Sequence, residues 1–255
     1  MAYTIVLRSD GTLWSCGQNN ERELGRTGGG VGDPLTQVGT GNQWVSVATG
    51  NTHTIALRSD GTLWSCGRNN EGELGRTGDN TTLLQVTSPS PENQWVSIAA
   101  GGWHTIALRS DGTLWSCGAN GSGQLGLGYI GGSVNTLTQV AGSSWTAIAT
   151  VNTHTLALRS DGTLWSCGHN GNGQLGLVGL IGDANTFEQV ISPSSPENQW
   201  VSIAAGGNHT LALRSDGTLW SCGRNNEGQL GRTGGGVGDS LTQVGMGNQW
   251  VSVAA

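Results

Sequence analysis

Residues 7–17 read LRSDGTLWSCG, and the same eleven residues return unchanged at Leu57, Leu108, Leu158 and Leu213. The steps between successive starts are 50, 51, 50 and 55 residues. Self-similarity at a period of this size marks a repeat architecture, in which each unit buries its apolar faces against its neighbours. Two further blocks keep the same register. One has the form W-V-S-I-A-A and starts at Trp44, Trp95, Trp145, Trp200 and Trp250. The other, T-Q-V or a near variant, ends at Val38, Val86, Val140, Val190 and Val244.

Within one unit, Ser9-Asp10-Gly11-Thr12 is a hairpin signal. Asp-Gly tolerates the positive φ angles of a two-residue type I′ turn, which is the turn expected here. The segments on either side alternate in size and polarity and carry β-branched or aromatic residues, as strands do. The W-V-S-I-A-A and L-T-Q-V blocks supply two more strands, and no copy shows a helical period. Four short strands per unit, repeated, give the expectation of an all-β propeller of five four-stranded blades. An open β-solenoid is the alternative, but its coils are usually shorter and lack a central hairpin. The chain opens inside a unit, at Tyr3-Thr4-Ile5, and closes on the strand that normally precedes that point, Val251-Ser252-Val253. Pairing the two would complete the fifth blade and close the ring, so residues 1–255 are read as one propeller domain with no open sheet edge.

The bulk composition narrows the function classes. Glycine supplies 45 residues and proline only 5, which suits many tight turns rather than a proline-rich linker. Net charge is −6 and every basic residue is arginine. Five of those arginines recur in the shared block, so no basic stripe exists to neutralise phosphates, and no nucleic-acid partner is expected. No apolar run approaches a membrane span, no membrane partner is expected, and no signal-peptide pattern follows Met1. The sequence assigns no compartment. The five cysteines, Cys16, Cys66, Cys117, Cys167 and Cys222, hold one repeat position. Equivalent positions on packed sheets lie about 10 Å apart, too far for a disulfide. They read as small buried apolar residues.

The string G-x-N-x-x-G-Q-L-G stands at residues 118–126 and 168–176. With A-A-G-G-W-H-T-I-A-L at 99–108 and D-G-T-L-W-S-C-G at 111–118, it resembles the repeats of the regulator of chromosome condensation family of β-propellers. The resemblance spans essentially the whole chain. It departs from the family where Cys replaces a common Trp in every copy, where Tyr3 replaces His, and in having five units against the familiar seven. It implies a scaffold for protein–protein contact. Family members include exchange factors for small GTPases, regulatory domains and a bacterial inhibitor of β-lactamases, and none of those specific activities carries over to residues here.

Candidate sites are weighed against architecture. His53, His104, His154 and His209 share one repeat position. A ring of imidazoles invites zinc, but ligand nitrogens must converge to about 2.0–2.1 Å from one ion, so a backbone-bonded His in each blade is expected and no metal or other cofactor. Asn19, Asn69, Asn120, Asn170 and Asn225 read as turn pins, and the Arg-Ser-Asp runs as braces for the hairpins. Every group that could enter a catalytic triad recurs in the same role, whereas catalysis needs an asymmetric constellation, so no enzyme is expected and no catalytic residue is assigned. The Gly-rich stretches 28–32 and 234–238 do not link a strand to a helix, and a phosphate loop is excluded.

Function should then sit where the copies differ, on loops carried by a rigid frame. Gln18, Arg68, Ala119, His169 and Arg224 follow the identical block and change from copy to copy. The loops after Q-L-G-L carry Tyr129 and Ile130 in the third copy, and Leu180 and Ile181 in the fourth. Trp103 stands where other copies have Asn or Thr. Exposed apolar clusters mark interaction sites, and Trp and Tyr are enriched at binding hot spots. The leading expectation is a non-enzymatic scaffold that binds another protein through these loops, with the chain read as a monomer and an oligomer as the alternative. A multivalent carbohydrate-binding propeller is the second reading. A designed or recently amplified propeller without a selected ligand is the third.

Overall fold

The computed structural model describes residues 3–30, 32–87, 94–191, 199–235 and 240–255. The excluded positions take in parts of the Gly-rich stretches 28–32 and 234–238, which to that extent lie outside the described residues. The described elements are all strands, in five antiparallel sheets. The first contains β1 (Tyr3–Leu7), β2 (Leu13–Gly17) and β3 (Thr36–Gln37). The second contains β4 (Trp44–Thr49), β5 (His53–Arg58), β6 (Leu63–Gly67) and β7 (Leu84–Gln85). The third runs through β8 (Trp95–Ala100), β9 (His104–Arg109), β10 (Leu114–Ala119) and β11 (Ser133–Gln139). The fourth runs through β12 (Trp145–Val151), β13 (His154–Arg159), β14 (Leu164–Gly168) and β15 (Ala184–Gln189). The fifth runs through β16 (Trp200–Gly206), β17 (His209–Arg214), β18 (Leu219–Gly223) and β19 (Thr242–Gln243). In every sheet the strands neighbour one another in chain order.

The chain forms two compact units, residues 1–119 with 132–140, and residues 120–131 with 141–255. In the first, Ile55, Leu63, Val86, Trp95 and Cys117 share one core cluster. In the second, Leu164, Leu175, Val190, Trp200 and Cys222 share another. Strands β5 and β9 are buried along nearly their whole length, which is why their sequences carry apolar residues on both faces rather than alternating with charge.

Two expectations are corrected. The hairpin turn is not type I′, because Asp10 keeps a negative φ and only Gly11 is left-handed, at 79°. The amide of Gly11 donates to the Arg8 carbonyl and that of Arg8 to the Thr12 carbonyl, giving a three-residue loop with glycine at its left-handed end. The cause is local. The Asp10 carboxylate accepts the Thr12 amide at 3.1 Å and the Thr12 hydroxyl at 2.6 Å, a grip that holds Asp10 in ordinary backbone space. Gly11 is required twice over, since a Cβ there would lie 2.1 Å from the Asn42 carbonyl oxygen.

The terminal closure is the second correction. The first sheet has three strands with β1 at its edge, and Trp250–Ala255 forms no strand. In the other sheets the W-V-S-type strand pairs with the hairpin directly following it, as Trp44 does with Arg58. Trp250 holds the same repeat position, but in this sequence no hairpin stands directly after it for a local pairing. Its amide still donates to the Gly217 carbonyl, as that of Trp44 does to Gly11.

Candidate functional site

The shared residues build a frame whose polar groups are consumed by architecture. In each hairpin the Thr held by Asp accepts the indole N–H two residues on, as Trp64 Nε1 donates to Thr62 Oγ1 at 2.9 Å. The Arg of R-S-D does more than brace its turn. Arg58 lies over Trp64 at 3.8 Å and over Trp44 at 4.6 Å from the ring centroids, and the two rings meet edge to face at 5.8 Å. The same Trp–Arg–Trp stack recurs at Arg109, Arg159 and Arg214. Stacked cations of this kind contribute about 0.5–2 kcal/mol each.

Thr and Cys together staple consecutive sheets. They face each other across the hairpin, Thr54 opposite Cys66. Both reach one carbonyl of the preceding copy, Thr54 Oγ1 donating to the Glu23 carbonyl at 2.7 Å and Cys66 Sγ lying 3.7 Å from it. Thr105 and Cys117 grip Glu73 in the same way, Thr155 and Cys167 grip Gln124, and Thr210 and Cys222 grip Gln174. Burial pushes the Cys66 thiol up to about 12, so it stays protonated and inert. All five cysteines are free, with Cys16 half-buried and the others fully buried.

The His53 ring has the expected backbone bond, with His104, and the histidines also meet a side chain of the next copy. His53 Nε2 lies 3.2 Å from the Thr105 hydroxyl and His154 Nε2 lies 3.3 Å from that of Thr210. Each of those hydroxyls already spends its proton on a carbonyl, so the imidazole Nε2–H must be the donor. Burial drives His53 down to about 4 and His154 to about 3. The ring also packs on glycine: a Cβ on Gly101 would sit 2.0 Å from His104 Cε1. Tyr3, standing in the His position, instead places its hydroxyl 2.6 Å from the His53 carbonyl and 3.0 Å from that of Gly50. Among the described residues no group of three His, Cys, Asp or Glu side chains converges to hold a metal.

The repeated Asn pins its loop as expected. Asn170 Oδ1 accepts the Leu175 amide and its Nδ2 donates to the Leu180 carbonyl, while Asn120 bonds Leu125 and Tyr129 in the same way. The invariant frame therefore holds the variable loops by their backbones and leaves their side chains to vary.

Divergence begins one residue after L-G. In the first, second and fifth copies that residue is Arg. Arg76 is buried and donates to the Ser65 hydroxyl, the Ser65 carbonyl and the Asp79 carbonyl. In the third and fourth copies it is Leu127 and Leu177. Leu177 joins the core cluster, with Leu180 packed against it. Beside them opens a cleft of about 410 Å³, with apolar walls from Ile130, Leu177, Val178, Leu180 and Ile191. Asp183 and Glu188 supply its charge, and among the described residues no Arg or His lines it. Of its lining, Ile130, Val178 and Ile191 stand exposed, and Tyr129 and Ile181 are exposed beside Ile130 and Leu180 in the chain, Ile181 at 88%.

The structure thus brings Ile130 and Leu180 to one cleft, with Tyr129 and Ile181 on the loops that bear them. His169 joins this group through Asp183, its Nδ1 lying 3.0 Å from the carboxylate that also caps the Asn170 amide. Trp103 and Arg68 meet each other in the other unit. The guanidinium lies over the exposed indole at 6.0 Å, and its Nε is 3.9 Å from the buried Glu73 carboxylate. Neither Gln18 nor Arg224 lines the cleft. Leu177, Asp183, Glu188 and Ile191 are the residues that sequence reasoning missed. The Arg-to-Leu change after L-G in two copies was a legible signal for the first of them.

A family model described as RCC1-like domain matches residues 1–255. The chain belongs to the RCC1-like domain family. Three solved structures place its fold. Human WBSCR16 superposes with a TM-score of 0.82 at 22% identity, over 94% of this chain and 64% of that one. Prp20p from Saccharomyces cerevisiae gives 0.71 at 18% identity, over 95% and 74%. The ectodomain of the Physcomitrella patens receptor kinase CR4 gives 0.51 at 15%, over 89% and 51%. At these identities the likeness is one of fold, and this RCC1-like chain spans less than two thirds of the WBSCR16 chain. No curated protein matches it by sequence. Among the described residues of this RCC1-like propeller no helix is long and apolar enough to cross a membrane.

Proposed function

We propose that this RCC1-like propeller is a non-enzymatic scaffold that binds a partner protein through the loops after Q-L-G in its third and fourth copies. The observation that carries the reading is the exposed aliphatic and aromatic rim of Tyr129, Ile130, Val178, Ile181 and Ile191 around one cleft. Large apolar side chains held in water by an otherwise self-satisfied frame mark an interaction surface. The structure reported for Prp20p came with its binding to Gsp1p and histones, so a protein partner agrees with what one neighbour of the same fold does. The absence of an enzymatic role in this reading rests on the frame: the His, Thr, Cys and Asp side chains of the repeat are engaged in lacing sheets together.

The carbohydrate reading is less well supported, because sugars would stack on Trp faces and here a guanidinium covers them in four successive stacks. The test of the protein-binding reading is affinity capture from source extract with wild type, Y129A/I181A and W103A, each checked for unchanged unfolding temperature. Loss of a specific captured protein with Y129A/I181A is expected, and unchanged capture would sink the reading.

A further inference from the structure

We infer that the cleft between Leu177 and Glu188 takes a peptide segment of a partner that presents an aliphatic side chain next to lysine or arginine. This rests on the protein-binding reading above and gives the partner its chemistry. Three observations converge on it. The walls are aliphatic, from Ile130, Leu177, Val178, Leu180 and Ile191, with no aromatic residue for a flat ligand to stack on. The charge is of one sign: Asp183 and Glu188 line the cleft and no Arg does. Among the described residues only one oxygen of each carboxylate is committed within the fold. Asp183 Oδ1 takes both His169 and the Asn170 amide, and Glu188 Oε1 takes the Thr186 hydroxyl at 2.7 Å, which leaves the second oxygen of each to face an incoming cation.

The same features turn away other ligand classes. A phosphate, a carboxylate or an anionic lipid surface would meet two carboxylates and no guanidinium, a like-charge contact that disfavours binding. A small enclosed molecule would leave the rim uncovered, with Ile181 at 88% and Val178 at 69% exposure. A peptide covers both: an aliphatic anchor enters the cleft, its flanks lie over the rim, and its cation meets Glu188. The cleft lies at a copy in which Leu stands where three other copies have Arg. Beside Arg26 of the first copy a hollow is lined instead by Asn19, Asn20, Arg22, Arg26 and Thr81, a surface that would repel the same segment.

The experiment is a methyl-resolved NMR titration of the full chain with the peptide Gly-Lys-Ile-Lys-Leu-Arg-Gly. Controls are a peptide with Glu at the three basic positions and one with Ser at the two aliphatic positions. Shifts confined to the methyls of Ile130, Leu177, Val178, Leu180 and Ile191 are expected with the first peptide, at least ten-fold weaker with either control. Glu188→Gln, at an exposed strand position, should weaken binding two- to five-fold, the scale of one partly exposed ion pair. Raised salt should shrink that difference. Equal response to the acidic peptide, shifts located elsewhere, or no binding would overturn the inference. The two readings separate cleanly. If a captured protein is lost with Y129A/I181A but held by Glu188→Gln and Leu177→Arg, the scaffold reading stands and the basic-aliphatic peptide does not.

Discussion

The loop after Glu23-Leu24-Gly25 in the first copy and the loop after Gln174-Leu175-Gly176 in the fourth leave the same frame and reach opposite chemistry. Both are pinned by the same Asn, Asn19 in one and Asn170 in the other, each accepting the amide of the following Leu. In the first, Arg26 turns back onto the Ser15 hydroxyl and carbonyl and pairs with Asp33. In the fourth, Leu177 sinks into the core, and the Ser166 hydroxyl is left with the Leu175 carbonyl, a bond that Ser65 and Ser221 also make in Arg-type copies. On a shared frame, the Arg-to-Leu change after L-G and the different loop that follows it separate a polar turn from an apolar cleft. Binding chemistry here is a property of the loop, and stability a property of the frame.

That separation can be broken experimentally. The largest effect belongs to the frame. Leu74→Ala and Leu175→Ala remove side chains that are each 1% exposed and should each cost about 2–5 kcal/mol in chemical denaturation. Equal costs in an Arg-type and a Leu-type copy support the separation, and a large inequality would break it. Arg76→Leu comes next, at about 2–3 kcal/mol, because it leaves the Ser65 and Asp79 carbonyls without their charged donor. The reverse change, Leu177→Arg, should cost about 1–3 kcal/mol, the range for a larger group forced into a packed site, while abolishing peptide binding in the cleft.

Acid acts on the buried histidines of the frame. Burial holds His53 and His154 below the ordinary imidazole value, so the unfolded chain takes up the proton first. Their contribution is whole above about pH 6.5 and fades as pH falls towards about 4 for His53 and about 3 for His154. Each buried imidazole should remove about 1 kcal/mol per pH unit across that window. His53→Gln should flatten the pH dependence of the unfolding midpoint, and an unchanged slope would show that the ring is not held neutral. The smallest effect is Ile181→Ala, within about 0.5 kcal/mol of wild type in stability, whatever it does to capture of a partner.

Much of the frame was legible in the residues. The verbatim return of LRSDGTLWSCG located the hairpins, the buried cysteines and the strand order, and subtracting what the copies share pointed to Tyr129, Ile130, Leu180 and Ile181. The turn type was missed because the Asp10 carboxylate, rather than Asp-Gly backbone propensity, sets the φ angle. The guanidinium stacks were missed because Arg58 and Trp44 are 14 residues apart in sequence and meet only through strand pairing. Asp183, Glu188 and Ile191 were missed because each is unremarkable in its own copy and gains meaning only beside Leu177.

The sequence by itself determined the repeat, the strand-rich unit and the places where copies differ, because periodicity and turn chemistry are local properties. Tertiary structure alone decided that the first sheet has three strands, that Thr and Cys share one carbonyl of the preceding copy, and that two carboxylates face an aliphatic cleft. Those outcomes depend on which distant residues are brought within a few ångströms, and distance through the fold is not written in spacing along the chain.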